Sequence, residues 1–384
     1  MTKTKRINLA LQGGGAHGAF TWGVLDHLLE QADLDIGWIS AASAGAVNAV
    51  ALASGLAEGG REGARAKLHQ VWKAIHDARV PDFLSNNPVL ASLGTLPAVA
   101  GMGKMFSPYE FNPMGFDPLR KLLTEAIDFD RLRSASPVEL LIAATDVGTG
   151  RPRFFRRHEM TVEAVLASAC LPQIHHAVEI DGRPYWDGGY SSNPDLVHLA
   201  LQSPVNDTLI VLLNPMHGRG TPTRLDEIFN EINRLTFNAP LIRDIQVIEA
   251  VREAEGGWLQ RKFKTPSRLA PLAAHRFHLI EAGRHTSALP LGSKLKPDWG
   301  MFTYLHGAGR TEAYKWLDGT RNRIGRHGTV DLKARFLSDI SQLVLPPPRT
   351  KPALPAPDDG AGTQLPPPSA PAGVTEPRAS HTLR

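Results

Sequence analysis

The sequence contains a single cysteine, Cys170, in 384 residues. No intramolecular disulfide can form, which agrees with a reducing compartment and predicts a cytoplasmic protein. Cys170 itself reads as a small buried hydrophobe. No run of 18 clean apolar residues occurs, so no spanning helix is expected. The nearest approach, the Ala-rich stretch 41–57, is interrupted by Ser43, Asn48 and Ser54. The N-terminus is basic and then apolar, like a secretory leader. Its apolar run, residues 7–11, is too short for one and ends in three glycines. It reads as a strand entering a loop. Dense Lys/Arg blocks are also missing. The net charge of +4 is spread along the chain, so nucleic acid is not the leading partner. Modest attraction to anionic lipid, as peripheral membrane contact, agrees with that charge. No spaced His, Cys and carboxylate set marks a metal site, and no cofactor is called for.

What is present is a hydrophobic content of 42%, enough for a sizeable core, and a repeating order of short apolar runs and amphipathic stretches. Strands are predicted at 7–11 and 36–41, with a helix over 18–31 between them and another from 44 to about 56. This β-α-β-α order predicts an α/β fold with a mostly parallel sheet and helices on both faces. Further helices are expected at 59–78, 118–127, 161–169, 224–259 and 301–324. Buried-type strands are expected at 138–146 and 209–213, and a further strand at 275–280. A hairpin is expected around Asp181-Gly182, joining 178–180 to 184–186. From Pro346 the aromatics vanish and Pro, Ala, Gly and Ser take over. Such a stretch cannot bury enough apolar area to offset its ordering entropy. The chain therefore divides into a domain at 1–345 and a Pro-rich disordered tail at 346–384. Within the domain the core motifs occupy 7–194 and helical additions occupy 215–345.

Three motifs carry chemistry. Ser43 lies between a strand and a helix in Ala41-Ala42-Ser43-Ala44-Gly45. Small neighbours suit a sharp turn that lifts a hydroxyl above a sheet edge, at the positive end of a helix. A plain helix N-cap serine is the alternative. The loop Gln12-Gly13-Gly14-Gly15-Ala16-His17-Gly18 follows a strand and precedes a helix. Its glycines free backbone N–H groups to converge on an anion, either a phosphate or an oxyanion. Gly13, Gly15 and Gly18 also match the dinucleotide spacing G-x-G-x-x-G, with Asp33 and Asp35 at about the distance of a ribose ligand but before the strand rather than at its end. No Walker Gly-Lys-Ser/Thr ending is present. Third, Tyr185-Trp186-Asp187-Gly188-Gly189 lets a carboxylate project where two glycines turn the chain away. An ordinary Asp-Gly turn would look the same.

Taken in order, Gly-Gly-Gly-x-x-Gly, Ser-x-Gly and Asp-Gly-Gly resemble the patatin-like phospholipase family, over roughly residues 7–194. The resemblance implies a three-layer α/β/α fold and a Ser-Asp dyad. Ser43 would be the nucleophile and Asp187 its base, with Gly13, Gly14, Gly15 and Gly18 forming the oxyanion-hole region. Asp146 in Thr145-Asp146-Val147-Gly148-Thr149-Gly150 would be structural, and Asn193-Pro194 also agrees with the pattern. The substrate class would be a lipid ester, cleaved through an acyl-serine. Two positions depart from the family: Ala41 stands where the elbow usually has Gly, and His17 where Lys or Arg is usual. The first puts the elbow's fine geometry in question, the second any charge help to the oxyanion.

Other readings stay open. His175 and His176 precede Asp187 and would allow a Ser-His-Asp triad, or they are loop histidines. The apolar, Gly/Pro-broken segment 88–106 is either a lid or an element packed on the core. As a lid it would meet acyl chains through Leu90, Leu93, Leu96, Met102, Met105 and Phe106. The rival functions are an esterase on a non-membrane acyl ester or storage polyester, and a nucleotide-binding protein using the glycine loop.

Overall fold

Among the described residues, eight strands form one sheet. They are β1 (Lys5–Leu11), β2 (Leu34–Ala41), β3 (Glu139–Asp146), β4 (Pro152–Arg156), β5 (Val178–Ile180), β6 (Arg183–Asp187), β7 (Asp207–Leu212) and β8 (Arg276–Glu281). The computed structural model describes residues 4–78, 107–218, 220–255, 267–287, 289, 293–295 and 297–338. The strand order is β5-β6-β3-β2-β1-β7-β8, with β4 also paired to β3. β3, β2, β1, β7 and β8 run parallel, while β4, β5 and β6 add antiparallel pairs. The described residues fall within one compact unit, Met1–Gln342. The expected tail at 346–384 and the segment 88–106, with Leu90, Leu93, Leu96, Met102, Met105 and Phe106, lie outside the described residues.

The strands are apolar on both faces because both faces are covered. In β1, Leu9 and Leu11 enter one core while Ala10 enters the other. In β7, Leu209 and Val211 enter the first, Ile210 and Leu212 the second. This is why these segments read as continuous apolar runs rather than alternating ones. The first core packs under the helices α1 (Ala19–Leu29), α2 (Ala44–Asp77), α3 (Val162–Ser168) and, from the far end of the chain, Trp299–Thr320. The second packs under α4 (Val197–Gln202) and the inner face of α5 (Leu225–Glu255). The long helix Trp299–Thr320 is α6. It crosses α1 backbone to backbone: a Cβ on Gly23 would sit 2.0 Å from the His306 carbonyl oxygen, and one on Gly309 would sit 2.1 Å from that of Phe20. Asp26 ties the same crossing together by pairing with Arg65, Arg310 and His306, which hold its carboxyl well below the usual range against the cost of burial.

Most expected elements are present, with shifted ends. The helix expected from Gly18 opens as a 3-10 turn, Gly15–Gly18, before α1. The two helices expected on either side of residue 57 form one span broken by non-helical backbone at Gly59 and Gly60. α6 starts two residues earlier than its apolar period suggests, because the Asp298 carboxylate accepts from the Met301 N–H at 2.7 Å. The hairpin turn at Asp181-Gly182 has φ of 51° and 73°, as a two-residue primed turn requires. β4 and α4 have no counterpart in the sequence reading.

Candidate active site

β2 ends at Ala41, hydrogen-bonded between Leu11 of β1 and Ile142 of β3. Two residues later Ser43 adopts φ 55°, ψ −128°, a region that side-chain-bearing residues rarely occupy. α2 then starts at Ala44. The strained turn is held from below: the Ser43 N–H donates to both the carbonyl (3.1 Å) and the hydroxyl (3.0 Å) of Ser168, at the end of α3. Gly45 has no room for a side chain, since its Cβ would lie 2.4 Å from the Leu11 carbonyl oxygen. The question raised by Ala41 is therefore answered: the sharp elbow forms with an alanine there, fully buried. Strain of this kind is kept where it aims a group.

The sheet brings Asp187 to that serine. β4 pairs with residues 141–145 of β3. β2 pairs with 139–142 and β6 with 144–146. Both overlap the β4 span, so β2 and β6 share the opposite edge of β3, end to end. Ala41 stands opposite Ile142 and Asp187 opposite Ala144, one pleat repeat apart. The Asp187 backbone is pinned by its N–H to the Cys170 carbonyl (2.8 Å) and by the Thr145 hydroxyl, which donates to its carbonyl (2.8 Å). The carboxyl is completely buried. Oδ1 accepts from the Gly189 N–H at 2.7 Å. Oδ2 makes no well-directed bond; the side-chain donor acting on the carboxyl is the Ser43 hydroxyl. Burial pushes Asp187 up to about 7, and the Ser43 hydroxyl and the Gly189 N–H pull it back only part of the way.

The four loop glycines divide by role. Gly13 is where the loop crosses the serine: a Cβ there would come within 2.6 Å of Ser43 Cβ. Its N–H is already donated to Asn193 Oδ1 at 2.7 Å. That proton anchors the loop and is not available to an oxyanion. Gly18 closes the 3-10 turn against Ala44 and Trp72 and is a packing residue. Gly14 and Gly15 remain. Among the described residues their N–H groups have no hydrogen-bond partner, and Gly15 holds a left-handed φ of 56°. The root of the loop is fixed by Gln12, whose Oε1 accepts from Leu213 (2.8 Å) and Asn214 (2.9 Å) N–H groups beyond β7. Sequence reasoning missed Ser168 and quoted Gln12 only as part of the glycine loop, since serine and glutamine at these places carry no local signal of their roles. It noted Asn193 without its role.

The histidines are not brought together with the pair. His175 and His176 line a separate cavity with Asn112 and Cys170. His176 Nε2 bonds the Pro108 carbonyl at 3.0 Å, and its ring stacks on Tyr109 at 4.1 Å. His17 is buried and bonds Ser293 Oγ at 2.8 Å, while burial and the Lys294 charge lower it to about 4. It is neutral at physiological pH. Cys170 is buried and pushed up to about 12, chiefly by burial. Asp146 accepts from the Thr149 N–H and hydroxyl, a structural part as the motif implies. Asp33 and Asp35, the candidate ribose ligands, pair with Arg321 and Arg61. Ser43 and the glycine loop open into a cavity of about 1520 Å³ with Leu171, Ile174, Met216, Phe237 and Leu289 on its walls. Pockets for small ligands are usually about 300–1,000 Å³, so an acyl chain has room.

An α/β sheet that lifts a strained serine over a glycine loop and beside a buried carboxyl defines the class. The chain belongs to the patatin-like phospholipase family, whose model matches residues 9–200. It is, in general terms, a lipid acyl hydrolase. Among solved structures it is similar to VipD from Legionella pneumophila, at 14% identity over 88% of this chain and 74% of that one, with a TM-score of 0.40. It is also similar to the heterodimeric ExoU-SpcU complex from the type III secretion system of Pseudomonas aeruginosa. There the identity is 15% over 83% of this chain and 53% of that one, with a TM-score of 0.30. At these values neither likeness bears on the site or its substrate. No curated protein matches the chain.

Proposed function

We propose that the protein cleaves carboxylic esters of lipids through an acyl-serine, with Ser43 as nucleophile and Asp187 as general base. The observation that carries this reading is the buried carboxyl raised to about 7 beside a strained serine. A serine hydroxyl is a weak nucleophile and needs a base within reach. An ordinary carboxylate is too acidic to serve well near neutral pH, and burial removes that mismatch. The Ser43 proton passes to Asp187 as Oγ attacks the ester carbonyl. The oxyanion forms against the N–H groups of Gly14 and Gly15 and the first N–H of α2 at Ala44. Collapse expels the alcohol, which takes the proton back from Asp187. Water then attacks the acyl-serine with Asp187 as base again, and Asp187 returns that proton to Ser43 Oγ as the acid leaves.

Contact with a lipid surface belongs to this reading. Leu225, Ile228, Ile232 and Leu235 are exposed at helical spacing on α5, and the exposed Arg243 continues the same face. The opposite face of α5 lines the cavity with Asn230, Arg234 and Phe237. A helix with its apolar side outward and its polar side toward the cavity suits an interfacial position. No helix among the described residues is long and apolar enough to cross a membrane.

The test is hydrolysis of a glycerophospholipid in vesicles and of a soluble short-chain ester, by wild type, Ser43→Ala and Asp187→Asn. Both substrates cleaved, and both activities lost in each variant, is the expected result. Cleavage of the soluble ester alone would favour a non-membrane ester or polyester as substrate.

A further inference from the structure

Several cationic side chains line the Ser43 cavity, and nearly all are neutralised. Arg234 pairs with Glu231 at 2.5 Å and Arg335 with Glu281 at 2.6 Å. Arg284 and Lys315 share Glu312. Lys294 differs. Among the described residues it has no carboxylate partner, and its Nζ donates instead to the neutral Asn214 Oδ1 at 2.5 Å. Burial lowers its titration to about 8. At pH 7 the amine therefore stays mostly protonated. A part-buried ammonium with no carboxylate partner among the described residues is costly, and the neutral His17 offers no compensation.

Its position is fixed to the catalytic loop. The Lys294 carbonyl lies 2.4 Å from where a Cβ on Gly15 would sit. The preceding residue, Ser293, bonds His17 at 2.8 Å. Its partner Asn214 donates its backbone N–H to Gln12, at the root of the same loop. The Lys294 backbone thus packs on Gly15, and its ammonium, held on Asn214, lines the same cavity as Ser43.

We infer that Lys294 is a specificity-determining residue: it receives the phosphate of a phosphate-bearing acyl ester and so selects that substrate over its neutral counterpart. The inference rests on the reading of Ser43 as the nucleophile. A lysine ammonium is a compact point charge, suited to a phosphate oxygen. In a glycerophosphate ester that anion lies a few bonds from the scissile carbonyl, whereas a monoacylglycerol places only a hydroxyl there. Asn214 would then serve as a placeholder acceptor, orienting the amine while the cavity is empty of substrate.

The experiment compares 1-acylglycerophosphocholine with monoacylglycerol of the same chain, both in neutral detergent micelles. It reads kcat/KM for wild type, Lys294→Gln and Lys294→Arg. In Lys294→Gln the phosphate-bearing ester should lose about tenfold or more, the range of a charged hydrogen bond, while the neutral ester stays within about twofold. Lys294→Arg should recover most of the loss, since it restores the charge. The neutral ester doubles as the folding control. An equal loss on both esters would overturn the inference and assign Lys294 to the oxyanion or to the loop's structure. No loss on either would overturn it as well. A wild-type protein that turns over neither ester removes the hydrolase reading together with the inference, whereas activity on both with equal losses removes the inference alone.

Discussion

Asp187→Asn should make the protein more stable at pH 8 while abolishing its chemistry. The Asp187 carboxyl is wholly buried, and burial raises it from an ordinary 3.8 to about 7. A rise of that size amounts to about 4 kcal/mol in favour of the neutral form, at 1.36 kcal/mol per unit. Between pH 4 and 7 the folded chain keeps a proton that the unfolded chain has released. Unfolding therefore releases protons, and the contribution of Asp187 to stability falls as pH rises through that window. Above about 7 the folded chain carries the full cost of an ionised buried carboxylate. Asparagine has no such cost. Its Oδ1 can keep the Gly189 N–H bond seen at 2.7 Å, and its amide can donate to Ser43. Urea unfolding of both proteins at pH 5 and pH 8 reads the effect. The difference between variant and wild type should move by about 2.6 kcal/mol in favour of the variant from pH 5 to pH 8, because part of the shift is already expressed at pH 5. Taking the difference removes Asp244, whose buried carboxyl beside Asp195 is also raised to about 7 and titrates equally in both proteins. A difference that does not change with pH would refute the raised carboxyl, and with it the case for Asp187 as a base.

Three further outcomes follow from the same geometry. With a neutral soluble ester, kcat/KM should rise as pH passes through about 7 and level off above it, because only ionised Asp187 can take the Ser43 proton; a rate rising instead near pH 4 would mean an ordinary carboxylate. Asn193→Ala removes the acceptor of the Gly13 N–H and releases the loop that carries the Gly14 and Gly15 donors; activity should fall by roughly 10²-fold, the effect of losing one oxyanion donor, with the circular dichroism spectrum unchanged. Gly13→Ala puts a methyl within 2.6 Å of Ser43 Cβ and 3.0 Å of the Ala42 carbonyl; since neither neighbour is a flexible chain end, reaction of Ser43 with an acylating ester should be lost, as a stopped-flow burst assay would show.

The sheet was legible because its strands are buried on both faces, so 140–144 and 209–213 stand out as unbroken apolar runs. The hairpin at Asp181-Gly182 was legible because two consecutive positive φ values need such residues. β4 escaped notice: its Arg153 and Arg156 lie beside apolar Phe154 and Phe155 in a five-residue edge strand that has no period of its own. Ser43 and Asp187 were each ambiguous locally and became legible through their order with the glycine loop. What no local pattern contained was the support beneath them. Ser168 lies 125 residues from Ser43 and Asn193 lies 180 from Gly13. Their roles exist only once β3 has placed β2 and β6 end to end. The same holds for Lys294, whose backbone packs on Gly15 although the two are far apart in sequence.

The central claim is that Ser43 is made nucleophilic by Asp187, and labelling with a fluorophosphonate probe reads it directly. Wild type should label, Ser43→Ala should not label at all, and Asp187→Asn should label far more slowly while remaining folded. Labelling that survives Ser43→Ala, or an Asp187→Asn protein that labels at the wild-type rate, would contradict the account.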